Sequence, residues 1–219
     1  MRVYVETGAG LHREGAAAAW SFDPPYWGLA GLGTDEASAL AALEVTTGHR
    51  VEELTVAERV HGDERAFARD REPATRQEQA LTRCLLGAAR EETIRLVCGA
   101  TPAELDWDDP GRRLPTWAGW RTARQLAWHL ADTESRYYLT GLGLPPRARS
   151  GDLLTELRDS HAHVRAALAA LPADMVHQRG GQVWTTVKVL RRLAWHEPGE
   201  LVVLRRLLAR ARCARRPGG

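Results

Sequence analysis

The tetrapeptide L-A-W-H occurs twice in the chain, in "QLAWHLADTE" with His129 and in "RLAWHEPGE" with His196. Both stretches read as helix, and each His stands beside apolar residues. A lone mid-helix His on an apolar face is ordinarily a core residue with a hydrogen-bond partner. Two of them, on helices that must share one core, are natural ligands for a divalent transition metal. Glu200 stands four residues after His196, on the next turn of the same helix face. That is the spacing at which two side chains grip one ion, as in H-E-x-x-H sites. His129, His196 and Glu200 then make a two-His, one-carboxylate set. Three protein ligands leave positions for water or substrate, the pattern of a catalytic centre. Asp132, three residues after His129, is open to three readings: an acid that orients a ligand His, a base toward a bound nucleophile, or a solvated helix acid. Glu134, Arg136 and Tyr137 follow it. Arg136 and Tyr137 would bind an anionic substrate or cover the end of the helical domain.

Four helices of about 20 residues must position these groups. "TRQEQALTRCLLGAAREETIRLVCG" places Ala80, Leu81, Cys84, Leu85, Ala88, Ile94, Val97 and Cys98 at helical spacing and closes at Gly99. "TARQLAWHLADTESRYYLTG", "SGDLLTELRDSHAHVRAALAAL" and "TTVKVLRRLAWHEPGELVVLRRLLARAR" are the second, third and fourth. "TPAELDWDDPGRRLPTWAGW" is irregular, and His177 is expected in a loop. The expectation is a mainly α chain, a four-helix bundle over residues 71–219. Within the fourth helix, Pro198 lacks the N–H that would bond the Ala194 carbonyl and is expected to kink the chain. Gly199 costs about 1 kcal/mol relative to Ala. The alignment of His196 with Glu200 is therefore expected to loosen.

Residues 1–70 read differently, as a small α+β module and linker. "MRVYVE" alternates like a strand. "GAAAAWSFD" suits strand or helix, and "PPYWGLAGLG" reads as loop. "TDEASALAALEV" starts a helix with Thr34 as N-cap. Residues 55–74 read as a linker or a connecting strand. Pairing of an exposed strand edge offers a route to a homodimer.

Of the 219 residues, 44% are hydrophobic and 26% charged, and the net charge is +2. So near-neutral a chain carries no general field for nucleic acid or membrane. The basic end "RRLLARARCARR" lacks the interleaved aromatics of a nucleic-acid arm. Three cysteines, Cys84, Cys98 and Cys213, without C-x-x-C spacing argue against a disulfide framework or a cysteine zinc site. Cys84 and Cys98 are expected to be small core hydrophobes. No apolar run reaches a membrane span, and "MRVYVETGAG" lacks the layout of a signal peptide. A reduced, cytoplasmic protein is expected. Eight tryptophans stand against two phenylalanines. Trp128 and Trp195, one position from each His, lie about 100 degrees round the helix and face the core. Trp107, Trp117, Trp120 and Trp184 are expected at the loop ends of the helices, as packing or as the rim of a pocket.

With these residues in place, "TARQLAWHLADTESRYYLTG" and "VWTTVKVLRRLAWHEPGELVVLRRLL" resemble the DinB-like superfamily over roughly residues 75–212. That resemblance implies an up-down four-helix bundle holding a divalent metal (Zn, Ni or Fe) at a three-His site. His129 and His196 match two of its ligand positions, and Glu200 stands where the superfamily has the third His. A carboxylate there still binds such ions, but its charge lowers their Lewis acidity. The resemblance implies S-transfer or thiol-assisted isomerisation of a small-molecule substrate with a low-molecular-weight thiol cosubstrate such as mycothiol. Two other functions are open: a metal-free enzyme using Glu200 or Asp132 as acid–base groups, and a small-molecule- or partner-binding protein with a degenerate site. The N-terminal segment resembles the HicB-type ββα module in its strands and in "GLGTDEASALAAL", a turn and packing signature that carries no catalytic residue.

Overall fold

The computed structural model describes residues 1–11, 16–114 and 118–214. The N-terminal unit is a four-stranded sheet with one helix. Its strands are β1 (Arg2–Ala9), β2 (Ala16–Trp20), β3 (Ala30–Gly33) and β4 (Thr55–His61), with α1 (Glu36–Thr47) between the last two. The strand order is β3-β2-β1-β4, with β4 parallel to β1 and the other pairs antiparallel. The unit thus has two more strands than a strand-strand-helix reading: "AGLG" is β3, not loop, and residues 55–61 are the connecting strand. The alanines of β2 serve a two-sided packing. All five of its residues are buried, with α1 over one face and Phe67 and Trp195 over the other. Gly31 is needed because α1 lies directly on β3, where a Cβ would run into the Ala39 carbonyl. Asp35, not Thr34, caps α1: its carboxylate accepts from the Ser38 N–H at 2.8 Å. A carboxylate at this end also meets the positive pole of the helix dipole.

The helical domain comprises α2 (Arg76–Cys98), a short α3 (Pro102–Leu105), α4 (Ala123–Asp132), α6 (Leu153–Ala170) and α7 (Thr186–Ala214). Between α4 and α6, the chain continues through a wider π-helical stretch, Thr133–Tyr138, into α5 (Leu139–Gly141). Thr75, Thr122 and Asp152 cap α2, α4 and α6 through their side chains. Helices α2 and α4 each pack on both α6 and α7, and two apolar cores fill the space between them. A hairpin, β5 (Val176–Arg179) and β6 (Gln182–Thr185), precedes α7. His177 therefore belongs to a strand and not to a loop. No helix among the described residues is long and apolar enough to cross a membrane.

Two expectations for side chains need correction. Cys84 and Cys98 are exposed free thiols, not core residues. Ala80 and Ala88 are exposed as well. The buried stripe of α2 is Glu78, Thr82, Leu86, Ala89, Arg90, Thr93 and Val97. The helix is rotated relative to its apolar pattern because it turns the Arg90 guanidinium inward, onto charged partners described below.

The two units meet through a charged seam. The first turns of α7 bury Lys188, the chain's sole lysine, with Arg191 and Arg192. Arg191 grips both Asp70 oxygens at 2.9 Å. Arg192 donates to Glu6 at 3.0 Å, and Trp20 donates to the other Glu6 oxygen at 2.6 Å. The Lys188 ammonium stands 2.9 Å from Glu64. Three cations face three carboxylates, so the desolvation each charge suffers is offset by a partner. Trp20 packs edge-on against Trp195 at 5.5 Å, sealing the seam beside His196.

Candidate metal centre

The two L-A-W-H helices bring their histidines together. His129 of α4 and His196 of α7 approach with their Nε2 atoms 3.3 Å apart. Glu200 joins them: one ligand atom from each of the three side chains lies within 4.8 Å of the others. An ion about 2.1 Å from two ligands in tetrahedral geometry keeps those ligand atoms about 3.4 Å apart. The two imidazole nitrogens already have that separation, so the donor set fits a divalent ion. Pro198 does not break this arrangement, because α7 runs unbroken from Thr186 to Ala214. The Ala194 carbonyl, which has no N–H to accept from residue 198, lies against Gly28 of the N-terminal unit. Gly28 has φ 83°, and a Cβ there would come 2.7 Å from that oxygen.

Neighbouring groups fix each imidazole. The Trp120 indole stacks on His129 at 3.6 Å and 11°, and the Thr133 hydroxyl lies 3.2 Å from His129 Nδ1. The Nδ1 atom is thus occupied while Nε2 faces His196. On the other side, His196 Nδ1 stands 3.8 Å from Glu134 Oε1. Both atoms are buried, and among the described residues neither has a hydrogen-bond partner. A small rotation closes that gap into the carboxylate–imidazole contact that typically orients a metal-ligating His. Glu134 is itself anchored by Arg90, whose Nη2 donates to it at 2.7 Å. Arg90 also donates to Glu197 at 2.6 Å, to the Leu157 carbonyl at 2.7 Å and to Ser160 at 2.9 Å. One guanidinium between two carboxylates leaves a surplus negative charge in a buried place. Burial pushes Glu134 up; burial and the Glu134 charge push Glu197 up to about 8. The pair therefore keeps one proton near neutral pH.

Burial, with the His196 and Arg112 charges, brings His129 down to about 3, and burial lowers His196 as well. Both imidazoles are then neutral, the form that binds metal. Burial raises Glu200, while the charges of His196 and Arg112 pull it back. Asp132 stands apart. Arg136 holds one of its oxygens at 2.7 Å and Arg149 the other, and it lines neither of the two cavities beside the centre. Trp128 lies under the Arg149 guanidinium, and Trp184 is buried against Lys188. Trp117 lies outside the described residues.

The two cavities, of about 510 and 290 Å³, both border His196, Glu200, Trp120, Trp195 and Leu11. The smaller one is also lined by His129, Thr133, Tyr137, Tyr138 and Glu64. A helical domain whose paired histidines converge beside such cavities can be compared with known families. The profile of the DinB superfamily matches residues 85–198, just over half of the chain. The chain belongs to the DinB superfamily. No curated protein and no solved structure matches it. The DinB match takes in His129 and His196 and ends before Glu200. Sequence spacing offers no pointer to Arg90, Arg112 or Glu197, because their partners are distant in the chain. Glu134 was visible only as one more acid after His129.

Proposed function

We propose that this DinB superfamily chain is a metal-dependent enzyme that performs S-transfer or thiol-assisted isomerisation on a small molecule, with a low-molecular-weight thiol such as mycothiol as cosubstrate. We read its four long helices as the up-down bundle of that superfamily. The observation that carries the proposal is the convergence of His129 Nε2, His196 Nε2 and the Glu200 carboxylate beside two cavities. These three side chains would hold a Zn, Ni or Fe ion. When bound, such an ion supplies Lewis acidity and lowers the pKa of a coordinated thiol. The chain's own residues prepare the place. Trp120 and Thr133 fix the His129 ring, and Glu134 orients His196. Arg112 offsets the Glu200 charge, and Trp120, Trp195, Leu11 and Leu32 give the cavity an apolar side next to the centre. Two cavities that share one wall offer separate room for a thiol and an electrophile. Asp132, with both oxygens held by arginines, takes no part in this proposal.

Metal analysis of protein purified without chelator tests it, together with titration of Zn²⁺ and Ni²⁺ into the stripped protein. About one ion per chain is expected, with affinity lost in His129→Ala and Glu200→Ala. Absence of metal with no uptake on titration sinks the mechanism. The direct contact between the two imidazoles supports a second reading, a metal-free site in which Glu200 exchanges the proton. That reading predicts activity that survives chelation and disappears in Glu200→Gln.

A further inference from the structure

The larger cavity has a charge pattern that the metal centre does not use. Its wall includes four guanidinium groups, Arg112, Arg113, Arg206 and Arg210, against two carboxylates, Asp109 and Glu200. Asp109 is taken by Arg210 at 2.5 Å. Glu200 belongs to the centre itself. Arg112 is fixed in place by donating to the Trp120 and Arg121 carbonyls at 2.5 and 2.8 Å, and its charge is set partly against Glu200, which leaves Arg113 and Arg206 as the surplus. Arg113 donates to the Pro110 carbonyl at 3.1 Å and, among the described residues, has no carboxylate partner. Among the described residues, Arg206 has no ion-pair partner. The surplus is positive, and it is positioned. Glu200, Val203, Arg206 and Arg210 recur every three or four residues along α7, forming one stripe that leads from the centre to the rim. Among the described residues, the rest of the wall is apolar or aromatic. It includes Trp120, Trp195 and, from the N-terminal unit, Leu11 and Leu32.

We infer that this cavity binds a small organic anion, its carboxylate or phosphate on the Arg112–Arg113–Arg206 rim and its apolar body against Trp120, Trp195, Leu11 and Leu32, with the near end at His196 and Glu200. Converging guanidiniums over low-dielectric walls focus a field on an anion and bind its oxygens by charge-assisted hydrogen bonds. A volume of about 510 Å³ suits a molecule of that size. The inference deepens the proposed function by naming the charge class of one reactant. It also gives the N-terminal unit a task, since Leu11 and Leu32 make it a wall of the pocket. It rests on that proposal only for the position of the site.

Titrations followed by tryptophan fluorescence and calorimetry test it, using phenylphosphate, 3-phenylpropionate and the neutral 3-phenylpropanol. Each is run on metal-stripped and Zn-loaded protein. Both anions are expected to bind about tenfold or more tightly than the alcohol, with affinity falling as salt rises. The ratio between them shows whether the rim suits phosphate or carboxylate. Arg113 and Arg206 are exposed and lie outside the His–Glu cluster. The double variant Arg113→Ala/Arg206→Ala should therefore melt like the parent, yet lose about tenfold in anion affinity and none for the alcohol. If the alcohol binds as tightly as the anions, or the double variant keeps its anion affinity, the inference falls. If the protein takes up no metal while anion binding and its loss persist, the metal proposal fails and this one stands. Metal uptake without anion preference gives the converse.

Discussion

Glu134→Gln separates the chemistry of the centre from the stability of the fold. In the parent, Arg90 lies between Glu134 and Glu197, and that pair holds one proton near neutral pH. Glutamine is close in shape to the protonated acid. After substitution Glu197 can ionise fully against Arg90, so the buried cluster becomes one cation and one anion. Folding stability should then change by no more than about 1 kcal/mol. The metal site should respond more strongly. His196 Nδ1 faces Glu134 Oε1 at 3.8 Å, and loss of such a carboxylate partner typically costs about 10–100-fold in metal affinity. That corresponds to about 1.4–2.7 kcal/mol of binding free energy. The assay is competition of stripped protein with a chromophoric chelator for Zn²⁺ at neutral pH, paired with urea unfolding of the metal-free form. The expected outcome is an unchanged unfolding midpoint with weakened metal binding, and a larger loss in Glu200→Ala. An unchanged metal affinity in Glu134→Gln, with Glu200→Ala still impaired, would refute the orienting role of Glu134. A collapse of stability would instead refute the shared proton.

Three further outcomes follow from the structure. The metal-free protein should lose stability in acid. His129 falls from 6.5 to about 3 in the fold, and Glu64 falls from 4.5 to about 2 because the Arg192 and Lys188 charges outweigh its burial. Below about pH 4.5 the unfolded chain therefore binds more protons, and unfolding free energy should rise by a few kcal/mol from about pH 2 to 4.5; above that Glu197, raised to about 8, opposes the His129 contribution. Equal urea midpoints at about pH 2.5 and pH 4.5 would contradict this. Gly28→Ala should cost about 1–3 kcal/mol by thermal melting, because φ 83° is strained for alanine and its Cβ would come 2.7 Å from the Ala194 oxygen. Lys188→Met should cost about 3–5 kcal/mol by leaving Glu64 buried without its nearest cation, and adding Glu64→Gln should recover part of that loss.

What could be read from the chain divides along a physical line. Features set by local spacing were legible. The two mid-helix histidines and the Glu200 one turn on follow from the 3.6-residue period, which places side chains relative to their own helix, and the breaks at Gly99 and Pro172 follow from the backbone properties of glycine and proline. Features set by what the helix packs against were not. The apolar pattern of α2 pointed to Cys84 and Ala88, yet the helix turns Arg90 inward. It does so because Glu134, Glu197, Leu157 and Ser160 supply partners from three other elements, and no window along α2 contains that information. The same holds for Pro198. Its missing N–H was evident in the sequence, but that α7 runs on past it, with the Ala194 carbonyl against Gly28 of the other unit, was not. The alanines of β2 suited strand and helix equally until burial on both faces settled them. The site therefore divides in the same way. Its ligands can be read from the sequence, while the groups that tune them come from contacts that only the fold creates. Substitutions at Glu134, Arg90 or Gly28 should accordingly disturb the centre even though nothing in their local sequence marks them.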